Sequence, residues 1–361
     1  ARLAMWIHTF VPGLPLSFLD HSLVQGDSLT GIGTIGEAVE ALDPGLGAAG
    51  TESYFTAQIE EVLGRAASAL RRLARATDAS AREIAEAREA HAEALEAIQP
   101  AHDLFDLVVA ARLGDAAMPA AFDDEQVAAN PDLPVARKLV ARLQALHAPI
   151  AFPEAFLRER PGFDCILGNP PWEEATVEDL GFWALRFPGL KSMGAAQQRA
   201  EIERLRTERA DLAQEYEREV EEMAALRQLL LAGPYPGMGT GDPDLYKAFC
   251  WRFWQLARDG GRFGVVLPRS ALAAKGSAPW RERVLAEGDF ADVTMLLNTG
   301  GWVFDDAEPR YTIALVGVKK GVGEREVKLR GPFASLARYA AGVARPPAVL
   351  DAGAFAGWTE G

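Results

Sequence analysis

Cysteine is scarce in this 361-residue chain, which has two, Cys165 and Cys250. Each sits in what reads as a buried apolar strand or helix. Neither a disulfide framework nor a zinc-ligand spacing follows, and a reducing cytoplasm is the expected compartment. No apolar run reaches transmembrane length and no secretory leader pattern appears, so no membrane partner is expected. Positive charge is short too. Against 51 Asp and Glu stand 37 Lys and Arg, a net charge of −14, whereas a protein that grips duplex DNA needs a basic footprint. Any nucleic-acid surface must therefore be local. Lys191, Arg269, Lys275, Arg281 and Arg283 are expected to supply part of one, with a more basic region expected beyond Gly361. Gly31, Gly33 and Gly36 are too irregular for a phosphate loop and read as flexible linkage.

What remains is ample for a large core, with 49% hydrophobic and 24% charged residues. Much of the apolar fraction is alanine, which favours helices. Residues 1–10 read as a helix ended by Pro12-Gly13, and 22–26 as a short strand. From Glu52 to about Ile98 the apolar positions Ile59, Val62, Leu63, Leu70 and Leu73 recur at helical spacing. A break at Thr77-Asp78-Ala79-Ser80 predicts a helical hairpin, with Asp78 or Ser80 capping its second arm. Phe163 to Leu167 is a strand. Between Arg199 and Leu231, apolar residues every three or four positions (Ile202, Leu205, Leu212, Tyr216, Val220, Met223, Leu226, Leu230) predict one long amphipathic helix. Its expected use is packing on its own domain or on the first hairpin. A helix over 243–258, a strand over 262–267, a helix near 279–287 and the strands Phe290–Leu297 and Tyr311–Val318 complete an α/β alternation.

The chemistry concentrates in Asn169-Pro170-Pro171-Trp172, which follows the first apolar strand. An exocyclic amino group on an aromatic ring is a poor nucleophile because its lone pair is delocalised. Two acceptors holding both its protons, the Asn169 side-chain oxygen and the Pro170 carbonyl, draw that nitrogen toward tetrahedral geometry and cancel charge that develops in the transition state. Consecutive prolines fix φ and add no competing N–H. Trp172 offers a flat face to a base.

With these residues the chain resembles the amino-methylating DNA methyltransferases, and within them the large bacterial adenine enzymes of single-chain restriction-modification and phage-defence systems. Four segments carry the likeness in order. Leu23-Val24-Gln25-Gly26-Asp27-Ser28-Leu29 is similar to the family's cofactor-adenine strand and acidic residue. The NPPW loop comes next. Asp244-Leu245-Tyr246-Lys247-Ala248-Phe249 is similar to the helix whose aromatics close the cofactor pocket, leading into Arg262–Pro268. Trp302-Val303-Phe304 before Tyr311–Val316 resembles the segment whose aromatic stacks on the flipped base.

The resemblance implies a Rossmann-like sheet that uses S-adenosylmethionine, with long helical insertions and its N-terminal strands missing. It divides the chain into a partial core at 1–50, insertions at 51–160 and 181–240, a core strand and catalytic loop at 161–180, further core at 241–325, and the start of a target-recognition or C-terminal region at 326–361. The family's glycine-rich cofactor turn and ribose-binding acid have no counterpart, so the chain is expected to be a fragment. The implied activity is site-specific adenine methylation of double-stranded DNA by base flipping, without a metal. Asn169, Pro170, Pro171 and Trp172 are then catalytic; Asp27, Ser28, Tyr246, Phe249 and Asn169 touch cofactor; Trp172 and Phe304 stack on the base. Other restriction or phage-defence subunits are the implied partners. Two rivals are a protein-glutamine methyltransferase, which solves the same planar-nitrogen problem, and a non-catalytic DNA-binding scaffold of the same fold.

Overall fold

The computed structural model describes residues 23–42, 81–119, 124–241, 243–305, 310–321 and 325–351, with single positions at 57, 59–61, 63–64 and 323. Among the described residues, six strands form one mixed sheet: β1 Phe163–Gly168, β2 Ala257–Pro268, β3 Gly288–Leu297, β4 Thr312–Lys320, β5 Glu326–Phe333 and β6 Ala348–Asp351. Their spatial order is β1-β2-β4-β3-β5-β6. β1 and β2 run parallel, while β4 is antiparallel to both β2 and β3. The helices used below are α1 Ile35–Leu42, α2 Ala81–Leu113, α3 Leu133–Leu143, α4 Asp179–Arg186, α5 Ala195–Glu208, α6 Ala210–Ala232, α7 Leu245–Leu256, α8 Ala278–Glu287 and α9 Leu336–Val343. Among the described residues, no helix is long and apolar enough to cross a membrane.

Alternation in β2, β3 and β4 turns Phe263, Val265, Leu267, Phe290, Val293, Val316 and Val318 to one face. There they pack on α7, which is buried almost all round, and on α8 through Trp280 and Val284. A second core belongs to the helical region, where α1, α2 and α3 close around Ile32, Val39, Leu104, Phe105, Leu133 and Val140. Ile59 and Leu63 join it as their spacing predicts, and so does Leu229 from the end of α6.

Several expectations change. Residues 23–26 do not form a strand; Asp27 makes a single parallel bridge to Ala145, so this segment pairs with the end of α3 and not with the sheet. Helix α2 does not end near Ile98 but continues through Pro100 to Leu113. The buried stripe Ile98, Ala101, Leu104, Phe105 and Val108 offsets the hydrogen bond that proline removes. The single helix expected over 199–231 is two, broken at Arg209 (φ −121°, ψ 66°). That break lets Ile202 and Leu205 share a small core with Phe182, Trp183, Leu212 and Tyr216. Cys165 is exposed, because β1 is an edge strand and its outer face, with Leu167 83% exposed, has no cover among the described residues. Residues 326–351 extend the sheet through β5, α9 and β6. The helix expected at 1–10 and the break at Thr77–Ser80 lie outside the described residues.

Candidate active site at the C-terminal edge of the sheet

Register gathers the loops of interest at one edge. Gly168 pairs with Val265, Pro268 with Ile313, and Leu297 with Thr312, so β1, β2 and β3 end where β4 begins. Open α/β sheets place ligands at this edge. Asn169 emerges there exposed, and its amide has no hydrogen-bond partner among the described residues. Pro170 is buried and Pro171 exposed. Trp172 is half-buried on the core, with Nε1–H donating to the Val266 carbonyl at 3.3 Å. Its ring meets Tyr311 edge-on, with centroids 6.0 Å apart and planes at 90°.

Both ends of this loop are held. Before Asn169, the Phe253 ring fills the space a side chain at 168 would take, 2.4 Å from an ideal Cβ there, so glycine is required. After Trp172, Leu245 N–H donates to the Glu173 carbonyl (2.9 Å) and Ala175 N–H to the Pro243 carbonyl (3.1 Å), tying the loop to the start of α7.

Phe304 is half-buried on the β3–β4 connection. A fully buried residue that sequence reasoning missed, Asn298, organises that connection. Its Oδ1 accepts from Val303 and Phe304 N–H (both 3.1 Å), its Nδ2 donates to the Phe304 carbonyl (2.9 Å), and its own N–H donates to the Tyr311 carbonyl (3.1 Å). An Asn leaving a strand ahead of Thr299-Gly300-Gly301 was the available signal.

The expected cofactor residues fare unequally. Asp27 Oδ1 accepts Leu29 N–H at 2.8 Å in an Asx turn. Burial raises its carboxyl above the usual range, against the Leu29 and Thr30 hydrogen bonds and the Arg252 charge. Ser28 is half-buried in the same turn. Tyr246 is buried in the core, its hydroxyl donating to Ser270 Oγ at 3.0 Å, because its side of α7 faces the short helical turns at 270–277. Phe249 stays half-buried, tilted against Phe253 at 5.8 Å.

The glycine segment after Asp27 is no linkage but a packed turn. A Cβ at Gly31 would sit 2.1 Å from the Leu146 carbonyl oxygen, and one at Gly33 1.7 Å from Arg252 Nη1. Thr34 Oγ1 caps Glu37 N–H (3.0 Å) while the Glu37 carboxylate accepts Gly33 N–H (2.8 Å), one residue before the cap, which closes the start of α1. Arg252 joins it, entirely buried. Nη1 donates to Glu37 Oε2 (2.6 Å), Nη2 to the Gly31 carbonyl (2.9 Å) and to the Tyr235 hydroxyl, which itself donates to the Leu29 carbonyl (2.7 Å). Arg112 holds the other Glu37 oxygen at 2.7 Å. Burial alone would raise the Glu37 carboxyl, but Arg252 and Arg112 together hold it below its usual range. Thus α7 meets the Asn169 loop at Leu245 and the Asp27 turn at Arg252, about 10 Å apart along its axis.

His102, Asp106 and His147 bring ligand-type atoms within 4.8 Å of one another. Hydrogen bonding already assigns them. His147 Nδ1 accepts Ile32 N–H (3.0 Å), so its proton lies on Nε2 and is donated to Asp106 Oδ1 (3.0 Å). A cation on Nε2 would leave two N–H groups facing each other at Ile32. The cluster braces α2 against the Asp27 turn.

Of the five expected DNA cations, Arg269 and Lys275 are exposed on the short helical turns that follow β2, and Lys191 is exposed after α4. Arg281 is withdrawn from that surface. It is 1% exposed and donates through Nη1 to the Ala271 and Ala274 carbonyls, because its helix places it under those turns. Arg283 pairs with Glu287 and lines a cleft of about 980 Å³ with Ala257, Asp259 and Lys320, at the sheet edge opposite Asn169. No protein-family model matches the chain, and no curated protein matches it.

Proposed function

We propose that this chain carries the amino-group and base-binding residues of an S-adenosylmethionine-dependent DNA adenine-N6 methyltransferase, acting by base flipping in restriction-modification or phage defence. The observation that carries this reading is the NPPW loop itself: an exposed, uncommitted amide at the ligand edge of a mixed α/β sheet, braced on both sides, beside a half-exposed indole.

The residues present fit the adenine end of the cofactor. Asp27 holds a half-buried carboxyl that can accept an amino proton, and the half-buried Phe249 keeps ring surface on the helix that joins both loops. When bound, S-adenosylmethionine supplies an electrophilic methyl group. The chain does the positioning. A flipped base, which costs a few kcal/mol to unstack, lies on Trp172, and each aromatic stack returns about 1–3 kcal/mol. Asn169 Oδ1 and the Pro170 carbonyl accept the two amino protons and hold the nitrogen lone pair out of the ring. Arg269 and Lys275 take backbone phosphates despite the acidic balance of the whole chain.

The test is Asn169→Ala in the full-length protein, with N6-methyladenine in treated DNA measured by nucleoside mass spectrometry. The loss expected is about 3 kcal/mol of barrier, a hundredfold or more in rate, with the fold intact. Wild-type methylation by the variant overturns the assignment.

A further inference from the structure

We propose that Tyr311 is a positioning residue for the target base, forming with Trp172 a right-angled aromatic corner, the indole as floor and the phenol ring as wall. This rests on the reading of Asn169 as the amino-group acceptor. Tyr311 lies just before β4, with 51% of its surface exposed at the edge where Asn169 emerges. Its place is nevertheless fixed. The Tyr311 carbonyl accepts Asn298 N–H (3.1 Å), and the next carbonyl, Thr312, accepts Arg269 N–H (3.0 Å).

The indole is held by Val266 on one side and by the edge contact with Tyr311 at 6.0 Å on the other. Perpendicular planes leave a concave angle between them. A planar heteroaromatic ring lying on the indole meets the phenol at its edge, which stops it sliding along the floor. The Tyr311 hydroxyl has no partner among the described residues, so the wall is open toward a ligand. Buried Asn298 thus serves two aromatics, pinning Phe304 through its side chain and Tyr311 through its backbone.

The experiment uses full-length protein and a duplex carrying 2-aminopurine at the target adenine, the site first read from the positions methylated by the wild type. Tyr311→Ala is expected to lower the flipped-base fluorescence and raise KM for DNA roughly tenfold, as for a weakened base stack, with S-adenosylmethionine affinity and thermal midpoint unchanged. Tyr311→Phe, which keeps the ring, is expected to restore most of both. The inference is overturned if Tyr311→Ala flips and methylates like wild type, if Phe fails to rescue, or if cofactor affinity falls in step with KM. Asn169→Ala in parallel separates the two claims. Full activity there removes the acceptor role whatever Tyr311 does, whereas loss there with an indifferent Tyr311→Ala removes only the corner.

Discussion

Gly168→Ala puts the link between packing and chemistry to a quantitative test. An ideal Cβ at 168 falls 2.4 Å from Phe253 Cζ and 2.8 Å from Cε2. Carbon contacts are comfortable at about 3.5–4.0 Å, so ring and strand must part by about 1.1 Å or more. The ring has nowhere to go: it is 8% exposed and held by Phe249 and Phe263, with centroids 5.8 and 6.3 Å away. Strand end β1 therefore moves, and Asn169 moves with it. Overpacking of this kind costs about 1–3 kcal/mol of stability, and a catalytic group displaced by about 1 Å loses about a hundredfold in rate. Phe253→Leu removes the obstructing atoms at a cost of about 1–2 kcal/mol by itself. In that background Gly168→Ala should add less than about 0.5 kcal/mol, a favourable coupling of about 1 kcal/mol or more. Urea unfolding with the slope checked for constancy gives the four stabilities, and the methylation rate gives the displacement. Additive losses across the cycle, or an undisturbed Gly168→Ala, refute the reasoning.

Arg252→Met should destabilise the protein by about 3 kcal/mol, since it leaves the buried Glu37 carboxylate with Arg112 as its one guanidinium partner, and calorimetric melting would register it. Glu37 has a folded value held below its usual 4.5, so its contribution is complete above that pH and is lost as pH falls through the folded value. Unfolding free energy below pH 4.5 should accordingly fall less steeply in Glu37→Gln than in wild type. Arg269→Ala should weaken DNA binding evenly across sequences and reduce the salt slope by about one, as filter binding at several salt concentrations would read. Arg281→Met should leave DNA affinity unchanged and stability within about 1 kcal/mol, because the two carbonyl hydrogen bonds it loses are offset by removing a buried charge whose Nε and Nη2 have no partners; a changed salt slope there would return it to the interface.

Local pattern was enough for much of the framework. Alternation marks β2, β3 and β4, the 3.6-residue period marks α7 and α8, and Asn169-Pro170-Pro171-Trp172 declares its acceptors and its ring, because these signals lie within a few residues of one another. Tertiary structure decided what depends on partners distant in the chain. Leu167 is apolar yet bare, since no element among the described residues covers its face of β1. Arg281 and Tyr246 have the side chains of a binding surface yet are buried, since their helices turn them inward. Gly31 and Gly33 look like linkage and are packed shut by Leu146 and Arg252, more than a hundred residues away along the chain. Asn298 and Tyr311 gain their roles only when β3 and β4 pair, because a side chain's hydrogen-bond partners and exposed face are set by what the fold brings beside it.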